Sequence, residues 1–450
     1  MEGKEKKSGF SSKIGFVLAA AGSAVGLGNL WRFPYLAAQY GGGIFLLVYL
    51  LLAVTFGFAL MVTEIALGRK TGKSVIGAFS ELHPKFSALG WVAAAVPLII
   101  FPYYCVIGGW VIKYLWVYLV GQGASAADDG TYFSGFIGNL GPSAFFMFLF
   151  MAITALVVML GVEKGIEKVS KIMMPILLLI SVVIAGYVLT IDGAMAGLIY
   201  YIKPDFGNFS IKTLIAAMGQ LFYSMSLAMG ILFTYGSYMR KEDDLESSVR
   251  HIELFDTGVA FLAGLMIIPA VFAFSGGDES ALGTGPSLMF ITLPNVFESM
   301  AQGRLIGIIF FILVMLAALT SSISLMETLV SVLCERTKMK RIPACLVVFA
   351  VSMGLAMLSV LGYSSWSHVT IMGRQILDFF DFISNNVIMP LVALATCVLV
   401  AYVLGTKTVE EEVEQQNHTF KAKKLYRIVV RYIAPVILLM IFVSSLLGVV

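Results

Sequence analysis

The stretch GSAVGLGNLWRFP, residues 22–34, decides the fold of this chain. It lies inside a long apolar run, yet it carries three closely spaced glycines, an asparagine and an arginine. Gly22 and Gly26 alone would equally suit a packing face of small residues between membrane helices. Asn29 and Arg32 in the same run favour another interpretation, because polar and charged groups at membrane depth are costly unless they serve a function. We therefore predict that the helix is unwound here and that its backbone carbonyls are free to bind a ligand.

The composition of the whole chain is typical of a membrane protein. Of the 450 residues, 59% are apolar and 13% are charged, and the mean hydropathy is +0.92. Soluble proteins have about 25% charged residues. These values exclude a soluble fold, a disordered chain, a coiled coil and a nucleic-acid binder with a basic face. The spacing of the cysteines suggests neither a disulfide framework nor a metal site; they are Cys105, Cys334, Cys345 and Cys397.

Eleven apolar runs are long enough to cross a bilayer, for which about 20 residues are needed. Backbone amides in lipid must be hydrogen-bonded within the segment, so we expect an all-α polytopic membrane protein. Runs much longer than this must tilt, bend or break. The first run also resembles a signal peptide, but its special residues continue to residue 34, so we expect a retained helix. The predicted spans are residues 14–38, 43–68, 88–120, 143–161, 165–191, 212–239, 251–275, 304–333, 343–361, 372–404 and 428–449.

The distribution of basic residues predicts the orientation. If the N-terminus is cytoplasmic, 24 of the 30 lysines and arginines fall on cytoplasmic segments, as the positive-inside rule requires. The C-terminus would then lie outside the cell membrane. On this topology residues 1–13 are a cytoplasmic N-terminal segment, residues 276–303 form a structured external lid, and residues 406–427 are a charged, solvated cytoplasmic linker.

Two further spans carry polar residues at mid-depth. The sixth has Gln220, Ser224 and Ser226, and the eighth has Thr320 and Ser321. A single serine would simply bond to a carbonyl of its own helix. Clusters at matching positions of two five-span halves instead indicate an inverted repeat with broken first and sixth helices, which is typical of a transporter's central site. Because these clusters offer hard oxygen ligands, sodium is a better candidate than a transition metal.

Several motifs together resemble the neurotransmitter:sodium symporter family, and the similarity is greatest to its bacterial amino-acid members. They are residues 22–34, GGGIF at 41–45, QLFYS at 220–224 and LTSSI at 319–323, and the resemblance covers nearly the whole chain. It implies a sodium-coupled symporter of neutral, hydrophobic or aromatic amino acids that works by alternating access, and no enzymatic activity. It also implies five-helix repeats at residues 14–200 and 201–405 and an eleventh helix at 428–450. Many members have a twelfth span outside the transport core, and we expect eleven here, as in some bacterial members.

The resemblance implies two sodium sites. The first would use the Ala24 carbonyl, the side chains of Asn29 and Ser224, the substrate carboxylate and a ligand from the seventh span, where this chain has Asp256 in place of the family's usual asparagine. The second would use the carbonyls of Gly22, Val25 and Ala317 and the hydroxyls of Thr320 and Ser321.

Asp256 is also the reason for expecting that chloride is not required. Many animal members of the family need chloride beside the first sodium site, and a carboxylate there would supply the negative charge instead. The alternative is an ordinary interfacial aspartate that forms an ion pair with Arg250 or His251.

The substrate site implied by the family combines a polar end with an apolar wall. The hydroxyl of Tyr104 and the amides of residues 27–28 would hold a carboxylate. Ala228, where relatives often have glycine, would leave less room and disfavour tryptophan. The expected lining residues are Ser23, Ala24, Leu27, Gly28, Ile100, Tyr104, Tyr223, Ser224, Ser226, Met229, Ser321 and Leu325, of which Ile100, Met229 and Leu325 form the apolar wall.

Gates are implied on both sides of this site. Arg32 and Asp381 would pair on the outer side, although an arginine that snorkels to the interface is an alternative for Arg32. The inner gate would be formed by Lys7, Phe10, Tyr238 and Glu335. In the fifth span Gly165 and Pro175 match a family pattern that permits local unwinding.

Two other functions are compatible with parts of the pattern. A proton-coupled amino-acid transporter could share the architecture, whereas a channel would need a polar stripe along several helices, which the chain lacks. The expected partners are a small-molecule substrate and the lipid bilayer, with no nucleic acid. An oligomer is allowed but not indicated, and the sequence does not identify the amino acid, the sodium stoichiometry or any proton counter-transport.

Overall fold

The computed structural model describes residues 9–277 and 285–446, and this part of the chain is almost entirely helical. Nine single helices in it are long and apolar enough to cross a membrane. They are α3 (Gly43–Thr71), α4 (Pro84–Leu119), α5 (Leu140–Met159), α6 (Val162–Val188), α9 (Leu245–Ser275), α10 (Gly303–Thr337), α11 (Arg341–Tyr363), α12 (Ile376–Leu404) and α13 (Lys423–Ser444).

Two further crossings are made by pairs of half-helices. In the first, α1 (Lys13–Ala24) and α2 (Gly28–Gln39) meet at an angle of 53°. In the second, α7 (Ile211–Ser224) and α8 (Ile231–Tyr238) are separated by residues 225–230. The broken helices are therefore the first and the sixth of eleven, as predicted. We call the face of the bundle at which α1 begins the lower face and the opposite face the upper face.

The largest difference from the predicted span boundaries is at α9, which begins six residues before residue 251. Asp244 caps this helix, because its carboxylate accepts a hydrogen bond from the backbone N–H of Ser247 at 3.0 Å. The cap and the polar first turns extend the helix beyond its apolar part.

Close packing joins α3 to α8, the lower half of the sixth crossing. A Cβ atom on Gly68 would lie 2.1 Å from the carbonyl oxygen of Phe233, and one on Gly236 would lie 2.4 Å from that of Ile65. Only glycine permits this approach, which is the usual way in which membrane helices bring their backbones together. The two helices are thus in direct backbone contact along the middle turn of α8, at Phe233 and Gly236.

The predicted lid on the upper face is a structured element where the structure describes it. A short helix spans Leu293–Glu298, and Phe290 before it is fully buried. The hydroxyl of Tyr114 donates to the Phe290 carbonyl at 2.8 Å, and the ring of Trp31 packs edge-on at 6.4 Å. Residues 278–284 of the predicted lid lie outside the described residues.

The prediction of a solvated linker on the lower face is wrong. Residues 407–413 form a short helix whose Val409 and Val413 are buried. Arg69, on α3, forms an ion pair with Glu412 at 2.8 Å, and both side chains are 1% exposed. Hydrogen bonds from Arg427 hold the pKa of the Glu410 carboxyl below its usual range. The charged residues of the segment thus fasten it to the bundle, and α13 begins at residue 423 rather than 428.

We predict that Glu412→Gln destabilises the protein. Arg69 would keep its hydrogen bonds to backbone carbonyls but lose its buried counter-charge, and breaking a buried ion pair costs about 3–5 kcal/mol. The midpoint of thermal unfolding of the detergent-solubilised protein should fall by several degrees. Glu411→Gln is the matched control, because Glu411 is exposed on the same short helix. Equal midpoints for the two variants would contradict the assigned role of the ion pair.

Candidate binding site at the two helix breaks

The two helix breaks create the candidate site. α1 ends at Ala24 and α7 ends at Ser224, and each leaves terminal carbonyls without partners in its own helix. α2 and α8 begin just beyond the breaks with free amides, so each break offers both signs of partial charge. Ser226 and Ala228 have φ angles of 53° and 59°, a left-handed conformation that is uncommon outside glycine. The unwound segment 225–230 therefore has an unfavourable backbone conformation that contacts with the surrounding helices must stabilise.

A small cavity lies between the breaks, with about 30 Å³ of water-accessible space. A water molecule needs about 10–15 Å³ by this measure. The cavity holds a few waters at most, so its wall must move apart before a larger ligand can enter. Its lining consists of Ser23, Ala24, Gly26, Leu27, Gly28, Asn29, Ile100, Tyr104, Tyr223, Ser226, Met229, Ile231, Ser321 and Leu325.

Eleven of the twelve predicted lining residues are on this wall, and Ser224 is the exception. Two lining residues, Gly26 and Ile231, were not predicted for any site, and Asn29 was predicted only as a sodium ligand. Gly26 could have been recognised as part of the unwound stretch rather than as a packing residue. Ile231 has no comparable signal, because an isoleucine at the start of an apolar helix is unremarkable in sequence.

One end of the cavity is polar. The hydroxyl of Tyr104 accepts a hydrogen bond from the backbone N–H of Leu27 at 3.2 Å. The hydroxyl of Ser226 lies 3.0 Å from the carbonyl oxygen of Ser23 and 3.1 Å from its hydroxyl. These contacts tie the two unwound segments to each other and to α4. The apolar part of the lining includes Ile100, Met229 and Leu325.

Beside the cavity lies a fully buried cluster around Asp256. The carboxylate accepts hydrogen bonds from Asn29 Nδ2 at 2.8 Å, from the Ser224 hydroxyl at 2.8 Å and from the Tyr49 hydroxyl at 3.4 Å. The side-chain oxygen of Asn29 accepts a hydrogen bond from the backbone N–H of Gly26 at 3.1 Å. The predicted first sodium ligands Asn29, Ser224 and Asp256 are thus within hydrogen-bond distance of one another.

Asp256 does not pair with the basic residues considered as alternatives. Arg250 instead approaches Glu253 at 3.4 Å and lies over the ring of Phe58, and His251 contacts the carbonyl of Ser247. In the described residues the carboxylate has only neutral donors around it. A buried carboxylate in a membrane needs a counter-charge. The oxygens of Asp256, Ser224 and Tyr49 gathered here fit a hard cation such as sodium.

The predicted second cation cluster joins α1 to α10. The hydroxyl of Ser321 lies 3.4 Å from the carbonyl oxygen of Gly22 and 3.2 Å from that of Val25. The hydroxyl of Thr320 lies 3.1 Å from the carbonyl oxygen of Ala317. All five predicted residues therefore contribute oxygens to neighbouring positions where the C-terminus of α1 crosses α10.

Above the cavity lies a larger space of about 540 Å³, and both Arg32 and Asp381 line it. The guanidinium of Arg32 lies 5.4 Å from the centre of the Tyr223 ring. Asp381 accepts hydrogen bonds from Tyr103 at 3.1 Å and Asn385 at 2.6 Å. No ion pair within 4.0 Å joins Arg32 to Asp381, so the structure places the two residues on one cavity without the predicted contact.

On the lower face the predicted gate is only partly assembled. Phe10 packs against the ring of Tyr238, whose carbonyl accepts the Phe10 N–H at 3.1 Å. Glu335 is not part of this contact; its carboxylate accepts a hydrogen bond from the backbone N–H of Ser74 at 2.6 Å. Lys7 lies outside the described residues.

Sequence reasoning missed the carboxylate that does contact Tyr238. The Tyr238 hydroxyl donates to Glu327 at 2.8 Å, and Glu327 also pairs with Arg341. An acidic residue six positions after Ser321 in an apolar helix was the signal that could have identified it.

The predicted unwinding point in the fifth span is connected to the N-terminal segment. α6 begins with a wide π-turn at residues 162–167, which includes Gly165. Glu167 at its end accepts hydrogen bonds from the Ser11 backbone N–H at 2.7 Å and from the Ser12 hydroxyl at 2.9 Å. The local geometry of α6 and the position of the segment before α1 therefore depend on each other.

Comparison with known proteins agrees with this architecture. The sodium:neurotransmitter symporter family matches residues 7–124 and 131–449. The crystal structure of MhsT in complex with L-phenylalanine is similar with a TM-score of 0.88 and 36% identity, covering 98% of this chain and 100% of that one. The uncharacterized sodium-dependent transporter YhdH of Bacillus subtilis is 34% identical over 98% of each chain. The creatine transporter of Torpedo marmorata is 27% identical over 88% of this chain and 72% of its own.

The matches span both helix breaks and all eleven crossings, and the fold expected from the resemblance is confirmed. The chain belongs to the sodium:neurotransmitter symporter family and is a sodium-dependent multi-pass membrane transporter.

Proposed function

We propose that this protein is a sodium-coupled symporter of neutral, hydrophobic or aromatic amino acids, and that it works by alternating access. One observation carries the proposal: the two helix breaks enclose a cavity with a polar end, an apolar wall and two adjoining clusters of oxygen ligands. We place the protein in the plasma membrane with the lower face and N-terminus in the cytoplasm and the C-terminus outside.

The polar end has the groups that an α-amino acid needs. The start of α2 and the Tyr104 hydroxyl offer donors to a carboxylate, as helix N-termini commonly do. The carbonyl of Ser23 and the end of α7 offer acceptors to an ammonium group. The apolar wall suits an uncharged side chain. The relative MhsT, whose structure contains L-phenylalanine, supports the same substrate class.

Sodium would be coupled to the substrate through the first cluster. An ion held by Ala24, Asn29, Ser224 and Asp256 would adjoin the substrate carboxylate, so each would stabilise the other. An ion at the second cluster, held by α1 and α10, would favour the closed arrangement of the two helices. Arg32 and Asp381 would then close the upper cavity over the bound substrate, and Phe10 with Tyr238 would seal the lower face.

The alternative that shares this architecture is proton-coupled transport. The all-oxygen clusters favour sodium. Uptake of radiolabelled amino acids into proteoliposomes, measured at one pH with sodium and with potassium outside, decides between the two. Equal uptake with both cations would reject sodium coupling.

Our first prediction for this function concerns the second cation cluster. The double variant Thr320→Ala, Ser321→Ala removes two hydroxyl ligands, each worth about 1–3 kcal/mol when its partner is left unsatisfied. The sodium concentration needed for half-maximal substrate binding should rise at least tenfold. Ser322→Ala is the matched control, because the Ser322 hydroxyl bonds to Thr154 and Leu319 instead. An unchanged sodium requirement in the double variant would refute the site.

A second prediction concerns Asp256 and chloride. If its carboxylate supplies the negative charge beside the first sodium ion, wild-type uptake should be the same when chloride is replaced by gluconate. Asp256→Ser should make uptake depend on chloride, because an external anion must then balance the charge. Proteoliposome uptake in the two salts measures both. Wild-type uptake that stops without chloride, or a serine variant indifferent to chloride, would show that Asp256 does not have this role.

A third prediction concerns selectivity. Ala228 has a left-handed backbone conformation that costs an L-residue about 1–2 kcal/mol. Ala228→Gly removes this strain from the backbone next to Met229, which lines the cavity, and lets that side chain shift more easily, so binding of tryptophan should improve relative to leucine. Competition binding with the two amino acids gives the ratio. Ala217→Gly, at a buried position of α7 away from the cavity, should leave the ratio unchanged. The same ratio in Ala228→Gly and wild type would contradict the assigned role.

A further inference from the structure

Glu64 is a buried carboxyl group for which the proposed transport cycle has no role. It lies on α3 and is 3% exposed. Its Oε1 atom accepts the backbone N–H of Ala228 at 2.8 Å. Its Oε2 atom is buried and has no hydrogen-bond partner among the described residues. One carboxyl oxygen of Glu64 therefore binds the unwound segment 225–230, and the other oxygen is buried without a hydrogen bond.

Other buried acids in the described part of the chain have a cationic partner or several hydrogen-bond donors, and Glu64 has neither. Glu327 pairs with Arg341 and Glu412 pairs with Arg69. Asp256 has donors on both of its carboxylate oxygens. Glu64 has a single neutral backbone donor, and no lysine, arginine or histidine of the described residues forms a hydrogen bond or ion pair with it.

The ionisable groups on the elements packed against α3 have partners elsewhere. Cys397 on α12 is the nearby thiol. On α9, Arg250 is engaged with Glu253 and the ring of Phe58, His251 with the carbonyl of Ser247, and Glu246 with the backbone N–H groups of Lys421 and Ala422. Further groups and their partners are Tyr235 with Ser324, Tyr238 with Glu327, Asp256 with Ser224, Glu81 with Lys73, Glu410 with Arg427, Glu412 with Arg69, and Tyr426 with Thr63.

The protonation state of Glu64 follows from its burial without a cation beside it. An isolated carboxylate loses its hydration when buried and costs many kcal/mol, whereas a neutral carboxylic acid costs only as much as another polar group. A protonated Oε2 leaves Oε1 free to accept the Ala228 N–H as observed. In the arrangement seen here the neutral acid is therefore the stable form.

We propose that Glu64 is a proton-binding site of the transporter, occupied when segment 225–230 has the arrangement seen here and emptied when that segment moves away and water reaches the carboxyl group. The site takes one proton on Oε2. The proposal rests on the proposed function in one respect: segment 225–230 lines the cavity, so the ligands that close the cavity also retain the proton.

The linkage between substrate binding and protonation of Glu64 fixes the direction in which the affinity changes with pH. If closing the cavity around a substrate takes up about one proton, the substrate affinity must weaken as the pH rises, by up to about tenfold per pH unit. A variant that is neutral at every pH should lose this dependence. Glu64→Gln is such a variant, because its amide oxygen can still accept the Ala228 N–H.

The first experiment needs no substrate. The infrared spectrum of wild type minus Glu64→Gln at neutral pH, in sodium, should contain the carbonyl band of a protonated carboxylic acid. Glu163→Gln is the matched control: Glu163 is exposed at the start of α6, so its difference spectrum should contain carboxylate bands and the amide bands of the new glutamine, but no band of a protonated acid. Carboxylate bands in the Glu64 difference spectrum would overturn the proposal, whatever the protein transports.

The second experiment measures proton uptake with a pH-indicator dye in weak buffer when L-phenylalanine binds in sodium. Wild type should take up about one proton per substrate, and Glu64→Gln should take up none while its affinity becomes independent of pH. Glu163→Gln should keep the uptake, because Glu163 is exposed and far along the chain from the site. Uptake that survives in Glu64→Gln would assign the proton to another group and reject the proposal.

Two remaining outcomes separate this proposal from the proposed function. Normal phenylalanine binding by wild type with no proton uptake would reject the Glu64 site and leave sodium symport intact. Absence of sodium-dependent binding of any amino acid would reject the proposed function, and the infrared band would still decide the protonation of Glu64. If Glu64→Gln does not fold, proton uptake by wild type and by Glu64→Asp, which keeps an ionisable group, provides the test.

Discussion

Everything in this site depends on the requirement that backbone hydrogen-bonding groups in a membrane find partners. An unbroken helix satisfies each of them internally. At residues 25–27 and 225–230 that pattern stops, and the carbonyls and amides left over must be satisfied by side chains, by the other broken helix or by ligands. The partners found here are hydroxyls and amides: Ser321 on the carbonyls of α1, Tyr104 on the amide of Leu27, and Gln220 on the carbonyl of Gly28.

The same requirement explains why acidic residues accumulate around the breaks. Asp256 and Glu64 each interact with one unwound segment, the first through Asn29 and the second through the backbone N–H of Ala228. Their surroundings differ, because three side chains donate hydrogen bonds to the Asp256 carboxylate, whereas a single backbone N–H donates to Glu64. The first environment suits an anion, and the second suits a neutral acid. Two carboxyl groups near one cavity thus differ in the charge that their surroundings favour.

Features with a strong local signature were predictable from the sequence. The glycines and Asn29 in the first helix mark the break, and the apolar run lengths place the helices to within a few residues. Features that depend on a partner far along the chain were not predictable. Nothing near Glu412 indicates that Arg69 lies beside it, so the segment around it reads as solvated. Glu335 lies in the last turn of the apolar helix α10, as a gate residue would, but its contact with Ser74 arises from the packing of a distant loop.

The glycine contacts between α3 and α8 restrict how this molecule can change shape. Because the two backbones touch at Gly68 and Gly236, neither helix can slide or rotate past the other without separating over its whole length. The short helix at 407–413 is fastened to α3 through Arg69, so it belongs to the same rigid body. Bending costs least at residues 225–230, because they lie outside both half-helices and the N–H of Met225, bonded to the carbonyl of Leu221, closes the last helical turn of α7. Ser226 and Met229, which line the cavity, therefore lie in the segment at which the lower half of the protein bends most easily.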